Sequence, residues 1–563
     1  MDLCAGWAFR KSFVAVAGPF ACQPLFWEGA DLAALLRWHN VGGPVLALAV
    51  MERPAETRLA PPRSPVRPSS LTLPGAAGFV GAICVLVGVA QADSPFALKA
   101  PGAWFFGIGT HAPSAAGSGT FVGVMLVYAG IALMLGSWFE IVRTLRRRPG
   151  APLGPVVAIA IAWALPVLVM PPLFSRDVYS YAAQGELVTR GFNPYAHGPS
   201  VLGPGRFLSL VDPLWRHAPA PYGPAWERLS GGIVQLARHD VLASLIGFRA
   251  VAVVGVVLLA WGVPVLARSM DRDESAAFAL AVLNPLVLLV LLGGAHNDAL
   301  MLGLLVVGCA FARRNHFLVG LACCALAAEV KVPALIGAVL IGWWWSDAAS
   351  TWRQRIPRTA VSLLTAAGLT VVIDAVSGLG WRWLDGLSNP GVVVSWLDPV
   401  TAVGLALGHV AALLGYGHHS AAFVEGTRAT GLVLAALISV VLIARSDRVG
   451  HLQALGWSLV VFVVFGPVIW PWYETWGFVF LAVMAEAWTL RIVLVFSAIA
   501  CFADVPGARV LGTGDPVLEV ICWSCLIGAV FAYVALRLIP SLSPGSTSPE
   551  RPIRSGLSGN PGS

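Results

Sequence analysis

The sequence predicts an all-α polytopic integral membrane protein, and three observations carry that prediction. Of 563 residues, 57% are hydrophobic and only 12% charged, whereas a soluble globular chain carries about 25% charged residues. The apolar residues fall in long continuous runs, unlike the ~10-residue alternating segments of a membrane β-barrel. The basic residues sit mostly between those runs. The balance of 36 Lys and Arg against 29 Asp and Glu therefore reads as the charge that orients membrane helices, with no nucleic-acid partner expected. This composition excludes a cytosolic enzyme, a disordered scaffold and a disulfide-stapled secreted domain.

Taken in chain order, residues 1–50 mix short apolar stretches with Arg10, Lys11, Glu28, Asp31 and Arg37. They hold no run of the ~20 apolar residues that a crossing needs. They are expected to be an extension ahead of a natural start at Met51, with a cleavable signal peptide as the alternative. Residues 51–71 form a Pro/Arg-rich cytoplasmic segment. A membrane body follows over 72–537, with about fourteen spans. The first begins near 72. The next are predicted at 121–141, 153–172, 243–267, 277–292, 299–313, 316–330 and 333–346. The remainder fall at 359–376, 428–444, 451–469, 475–489, 491–503 and 517–537.

Placing the arginine clusters after these runs, such as Arg146, Arg147 and Arg148 or Arg353, Arg355 and Arg358, in the cytoplasm leaves both termini inside. The apolar stretch 400–416 is read as re-entrant or surface-lying, because a crossing there would carry Arg445 and Arg448 outside. The Ser/Pro/Gly-rich residues 538–563 read as a disordered cytoplasmic tail. Cys522 and Cys525 form a CxxC inside a predicted span with no neighbouring ligand, so no redox or metal role is assigned to them.

The informative segment is a hydrophilic loop over residues 173–240, placed on the outer face. Helix connections usually take 2–8 residues, and long ones tend to be functional. Its aromatic content (Tyr179, Tyr181, Tyr195, Trp215, Tyr222 and Trp226 among others) argues that it folds. Asp177 follows an apolar run directly and should sit at the outer membrane–water boundary. In a helix, Asp177, Tyr181 and Gln184 share one face at i, i+4, i+7 spacing. The bland alternative is an Asp serving as a helix N-cap. Tyr195 and Tyr222, held among Gly and Pro turns, offer flat faces for sugar rings, or else belong to an interfacial aromatic belt.

These residues carry a family resemblance. The runs SRDVYSYAAQGEL (175–187), GFNPYAHGP (191–199), PAPYGPAW (219–226), NPLVLLVLLGGAHNDALM (284–301) and WPWYETW (470–476) resemble the polyprenol-phosphomannose-dependent α-1,6-mannosyltransferases of actinobacteria. Those are C-type glycosyltransferases that elongate the mannan core of lipomannan and lipoarabinomannan. The resemblance spans about 72–537. It implies a multi-span enzyme of the cell's inner (plasma) membrane whose large first outer loop carries the acidic catalytic residue, here Asp177. It also implies a polyprenyl-phosphomannose donor and a mannan or phosphatidylinositol-mannoside-type lipid acceptor, both drawn from among membrane lipids. Many C-type enzymes pair two acids in that loop. Here the neighbour is Arg176, a poor setting for a divalent cation, so no metal ligand or other cofactor is assigned.

Outside the cytoplasm no nucleotide sugar is at hand, and the chain has neither a strand–GxGxxG–helix nor a P-loop. Moving a β-linked lipid-phosphate sugar onto a hydroxyl with an α outcome is one inverting displacement. It needs a base, Asp177, and cationic or polar groups at the donor. Candidates for the donor phosphate and sugar are Arg176, His296, Asn297, Lys331, Tyr181 and Gln184. Lys331 stands out: a lysine at membrane depth costs about 2.5–3.5 kcal/mol on insertion scales. Its alternatives are a local pair with Glu329 or snorkelling to the interface. Asp298 is read first as the cap of the helix that follows it. Trp472 and Tyr473 join Tyr195 and Tyr222 as surfaces for acceptor sugar, with belt anchoring as the alternative. A secondary transporter or lipid flippase competes as a whole-protein reading. Among enzymes, transfer of another polyprenyl-phosphate-linked sugar such as arabinose competes.

Overall fold

The computed structural model describes residues 69–91, 118–345, 350–387, 389–396, 398–415 and 420–503, with 101, 104 and 528 besides. The expectations for residues 1–50, for the start at Met51, for the span 517–537 and its CxxC, and for the tail lie outside the described residues.

Every regular element among the described residues is helical. The helices α1 (Ser69–Ala90) and α2 (Ser118–Arg147) pack along their lengths, and α3 (Leu153–Val169) lies beside α1. The loop 173–240 contributes α4 (Asp177–Thr189), α5 (Arg206–Leu210) and α6 (Pro224–Leu236). Next come α7 (Val241–Ser269), α8 (Glu274–Ala281), α9 (Asp298–Arg313), α10 (Phe317–Val330) and α11 (Ile336–Trp344). They are followed by α12 (Trp352–Ser377), α13 (Trp383–Gly386), α14 (Pro399–Leu413) and α15 (Ser420–Ala444). The last are α16 (Ser446–Val449), α17 (His451–Val464), α18 (Glu474–Val483) and α19 (Ala487–Ala503).

Five of the expected spans are single helices long and apolar enough to cross a membrane: α1, α2, α7, α12 and α15. Several of the others are shorter apolar helices, among them α3, α10, α17 and α19. Hydropathy registers the length of an apolar run and not the breaks within it. The run expected at 277–292 is α8, an interruption at Asn284-Pro285, and one π turn over Val287–Leu292. The segment 400–416 is the 15-residue α14, packed against α15. Short helices of this kind are tolerated where neighbouring protein satisfies the backbone at their ends.

Those ends follow from local chemistry. Asp240 Oδ1 accepts the Ala243 N–H at 2.8 Å and caps α7; Asp273 does the same for α8 with Ala276 at 2.7 Å. A capping box between Thr351 and Gln354 opens α12. Helix α3 stops at Pro171-Pro172, where two ring nitrogens offer no N–H. Helix α10 stops at Val330 because Pro333 lies ahead; Lys331 is extended (φ −151°, ψ 125°) and a 3-10 turn, Val332–Leu335, resumes the path.

Two close approaches fix the elements around the loop 173–240. A Cβ on Gly255 of α7 would lie 2.2 Å from the carbonyl carbon of Ala299, so the backbones of α7 and the first turn of α9 touch. At Gly223 a Cβ would lie 2.6 Å from the Glu329 carbonyl oxygen, which instead accepts the Gly223 N–H at 2.8 Å. The Glu329 carboxylate accepts the Ala225 N–H at 3.0 Å. The loop 173–240 is thereby clamped to the end of α10, just before Lys331.

Candidate active site

Asp177 is the first residue of α4, where its charge faces the helix's positive end. Its own N–H donates to Ser175 Oγ at 3.1 Å. One fifth of its side chain stays exposed. Burial raises its pKa to about 6; Lys331 pulls it back down, while Asp298 pushes it up further. Beside it lies the turn Gly293–Asn297. The His296 ring is wholly buried, with Nδ1 3.7 Å from Asp177 Oδ2 and 4.0 Å from Asp298 Oδ2. Burial lowers its pKa to about 3, so the ring is neutral and these approaches are not ion pairs. Its face rests on Trp472, with ring centroids 4.2 Å apart.

Both segments are held under backbone strain. Phe174 (φ 62°) precedes the Ser175–Asp177 stretch and Ala295 (φ 53°) precedes His296, each a non-glycine residue in the left-handed region. Such conformations persist only when the surroundings enforce them. Arg249 of α7 does the enforcing. Its Nη1 donates to the Met170 and Leu168 carbonyls at the broken end of α3, and its Nη2 donates to the Gly293 carbonyl at 2.5 Å. The Leu173 N–H also donates to Gly293 at 3.0 Å. One buried guanidinium thus ties the Asp177 strand of the loop to the His296 turn.

Lys331 points to the same place from the break after α10. Its Nζ donates to both carboxylate oxygens of Asp298, at 2.8 and 2.7 Å, while Trp476 Nε1 donates to Asp298 Oδ1 at 2.6 Å. The ammonium also lies 4.7 Å from the ring centre of Tyr473 and 5.5 Å from that of Trp476. Its partner is Asp298 rather than Glu329, and Asp298 serves as a counter-ion rather than as a cap. Two cavities meet here. A small one of about 50 Å3 is lined by Asp177, Ser180, Gln184, Trp215 and Trp470. A groove of about 610 Å3 carries Lys331 in its wall and runs along apolar residues of α11, α15 and α17. Pro221, Tyr222 and Tyr473 belong to both and form the waist between them.

Comparison with known proteins gives this architecture a family. Residues 75–347 match the family model for the α-(1→6)-mannopyranosyltransferase N-terminal domain, and residues 400–537 match the MptB C-terminal domain. A probable α-(1→6)-mannopyranosyltransferase of Mycolicibacterium smegmatis is 32% identical over 432 residues, covering 70% of this chain and 76% of that one. The chain belongs to the α-(1→6)-mannopyranosyltransferase family. Membership makes it a glycosyltransferase. An α-(1→6)-mannopyranosyltransferase of Mycobacterium tuberculosis is 32% identical over 396 residues, 60% of this chain and 66% of that one. α-(1→6)-Mannopyranosyltransferase B of Corynebacterium glutamicum is 31% identical over 403 residues, 67% and 66% of the two chains. No solved structure matches the chain.

Within this glycosyltransferase, the structure brings Asp177, Lys331, Tyr222, Tyr473 and Gln184 around the two cavities, buries His296 beside Asp177 without lining either, and sets the other expected residues behind them. Tyr181 is buried, its hydroxyl donating to Asn297 Oδ1 at 3.2 Å, and its ring packs edge-on to Tyr222 and Trp226. Asn297 is buried with it. Arg176 lines neither cavity; it reaches Asp212 at 3.7 Å. Tyr195 is buried away from both, with its hydroxyl donating to the Tyr222 carbonyl at 2.9 Å. Trp472 is buried between His296 and Trp470, the latter stacked on it at 5.1 Å.

Sequence reasoning missed Ser180, Trp215, Arg249 and the ion-pair role of Asp298. Ser180 had a signal, since it lies three residues from Asp177 on the same helical face. Arg249, a lone arginine inside a predicted span, had one too. Among the described residues no group of three or more His, Cys, Asp or Glu side chains is arranged to hold a metal ion.

Proposed function

We propose that this chain transfers mannose from a polyprenyl phosphate to a mannan acceptor at the outer face of the membrane, in a single inverting displacement. The observation that carries the reading is the junction of the two cavities. Asp177 lines one and Lys331 the other, on either side of Tyr222 and Tyr473. A groove of about 610 Å3 whose walls are almost all apolar suits an isoprenoid chain, and its lysine suits the phosphate at the head of that chain.

The chemistry balances with these groups. Asp177 accepts the proton of the acceptor hydroxyl, whose oxygen forms a bond to the anomeric carbon of mannose. The bond from that carbon to the phosphate oxygen breaks, and its electron pair leaves with the lipid phosphate. The diester carries one negative charge and the departing monoester gains a second. Lys331, with two protons committed to Asp298 and one free, therefore attracts the leaving group more strongly as the bond breaks. An interaction that grows toward the transition state raises turnover rather than ground-state binding. His296, neutral and packed on Trp472, holds one side of Asp177 without adding charge.

The test uses membranes containing the full chain, labelled polyprenyl-phosphomannose and short α-mannosides. General-base catalysis contributes roughly 10²–10⁴ in rate, so Asp177→Asn should lose turnover by that order with donor KM little changed. Lys331→Met should likewise act mainly on kcat. Normal transfer by the Asp177→Asn protein would remove Asp177 from the role of base.

A further inference from the structure

The small cavity holds more polar chemistry than one base requires. Ser180 and Gln184 stand one and two turns beyond Asp177 on α4, and both line the cavity. Ser180 is 6% exposed and Gln184 5%. The Ser180 hydroxyl and the Gln184 Oε1 have no hydrogen-bond partner. Buried polar groups are almost always paired, and an unpaired one asks for an explanation such as a ligand. Facing them are Trp215 and Trp470, half-buried indoles at the same cavity. One face of Trp470 is already covered by Trp472, at 5.1 Å and 5° from parallel. A flat ring opposite unpaired hydroxyl and amide groups matches a pyranose, which has a C–H face and a rim of hydroxyls.

The donor's sugar is not the unit that fits there. It is covalently joined to the phosphate, and so is held to the Lys331 side of the waist at Tyr222 and Tyr473. The acceptor must bring its hydroxyl to Asp177 from the other side. Resting on the proposed transfer, we infer that the small cavity, together with the opening beyond it, is an acceptor subsite for a sugar chain of at least two units, of which the cavity itself encloses only part. Ser180 holds the terminal unit beside Asp177, and Gln184 with Trp470 holds the penultimate one. Acceptor length is thereby read by α4.

The test is acceptor kinetics with the full chain in proteoliposomes, using polyprenyl-phosphomannose and synthetic α-1,6-linked mannosides of one, two and three units. Gln184→Ala and Trp470→Ala should each raise the KM for the two-unit acceptor roughly tenfold, the equivalent of a lost hydrogen bond or ring contact. The KM for the one-unit acceptor and for the donor should stay where they are. Trp470→Phe should recover part of the loss. Ser180→Ala, which removes a single oxygen and leaves packing intact, should weaken acceptors of every length. Equal weakening of all lengths by Gln184→Ala and Trp470→Ala, or a rise in donor KM instead, overturns the assignment. Transfer surviving in Asp177→Asn strikes at the proposed reaction itself, so the two failures are told apart.

Discussion

At Asp177 burial and neighbouring charge pull in opposite directions, and their balance sets where the residue can act as a base. Its pKa stands at about 6 rather than 3.8, so the folded chain holds this proton more tightly than the unfolded chain does. The contribution to stability is therefore full below about pH 4 and is lost as the pH rises through about 6. Catalysis wants the opposite form. We expect kcat/KM to fall about tenfold per pH unit below about 6, measured as a pH–rate profile in proteoliposomes. A profile flat down to pH 4.5 would exclude Asp177 as the group that must be ionised. At this scale the sequence was readable where charge met apolar surroundings: Asp177 and Lys331 were visible for that reason. It was unreadable among the aromatics. In Trp470-Pro471-Trp472-Tyr473 the 3-10 turn over Pro471–Tyr473 decides which ring meets a cavity and which is buried, and ring identity alone does not encode that choice.

Elements matter here mainly through their ends. The broken terminus of α3, the π turn before Gly293 and the extended Lys331 each deliver one part of the site, and Arg249 joins two of them. Removing its guanidinium leaves the Met170 carbonyl buried without that donor, at about 1–3 kcal/mol, and leaves the Gly293 carbonyl with the Leu173 N–H alone. Arg249→Met is expected to lower the unfolding temperature in detergent and to lower kcat, with donor KM nearly unchanged. Arg249→Lys supplies donors without the planar fork and should fall between. Retention of full turnover by Arg249→Met would show that the two loops hold their geometry unaided. Helix existence was legible from apolar runs, because those runs are what the helices bury. Helix continuity was legible at Pro333, where the runs 316–330 and 333–346 part, but not at Asn284-Pro285, which interrupts a run whose average hydropathy is high. The sequence also gives no hint that Gly223 would dock on Glu329, a contact between segments about a hundred residues apart.

For the molecule as a whole, the proposed reaction depends on which side of the membrane the loop 173–240 occupies. Single cysteines placed at exposed Leu214 and at exposed Asp271 in intact cells distinguish the sides. A membrane-impermeant maleimide should label the first and spare the second until the membrane is opened; the reverse pattern would put the base in the cytoplasm. The apolar groove has a consequence of its own. Part of its wall is Leu432 and Val440 of α15, which are 44% and 63% exposed on a helix long and apolar enough to cross a membrane, so in the proposed reaction it opens sideways toward lipid rather than upward into water. On the proposed reading, a greasy substrate slides in from the surrounding sheet without ever being solvated. What saturates such an enzyme is cargo per unit area: diluting the carrier with inert phospholipid slows it, and shrinking the aqueous volume does not.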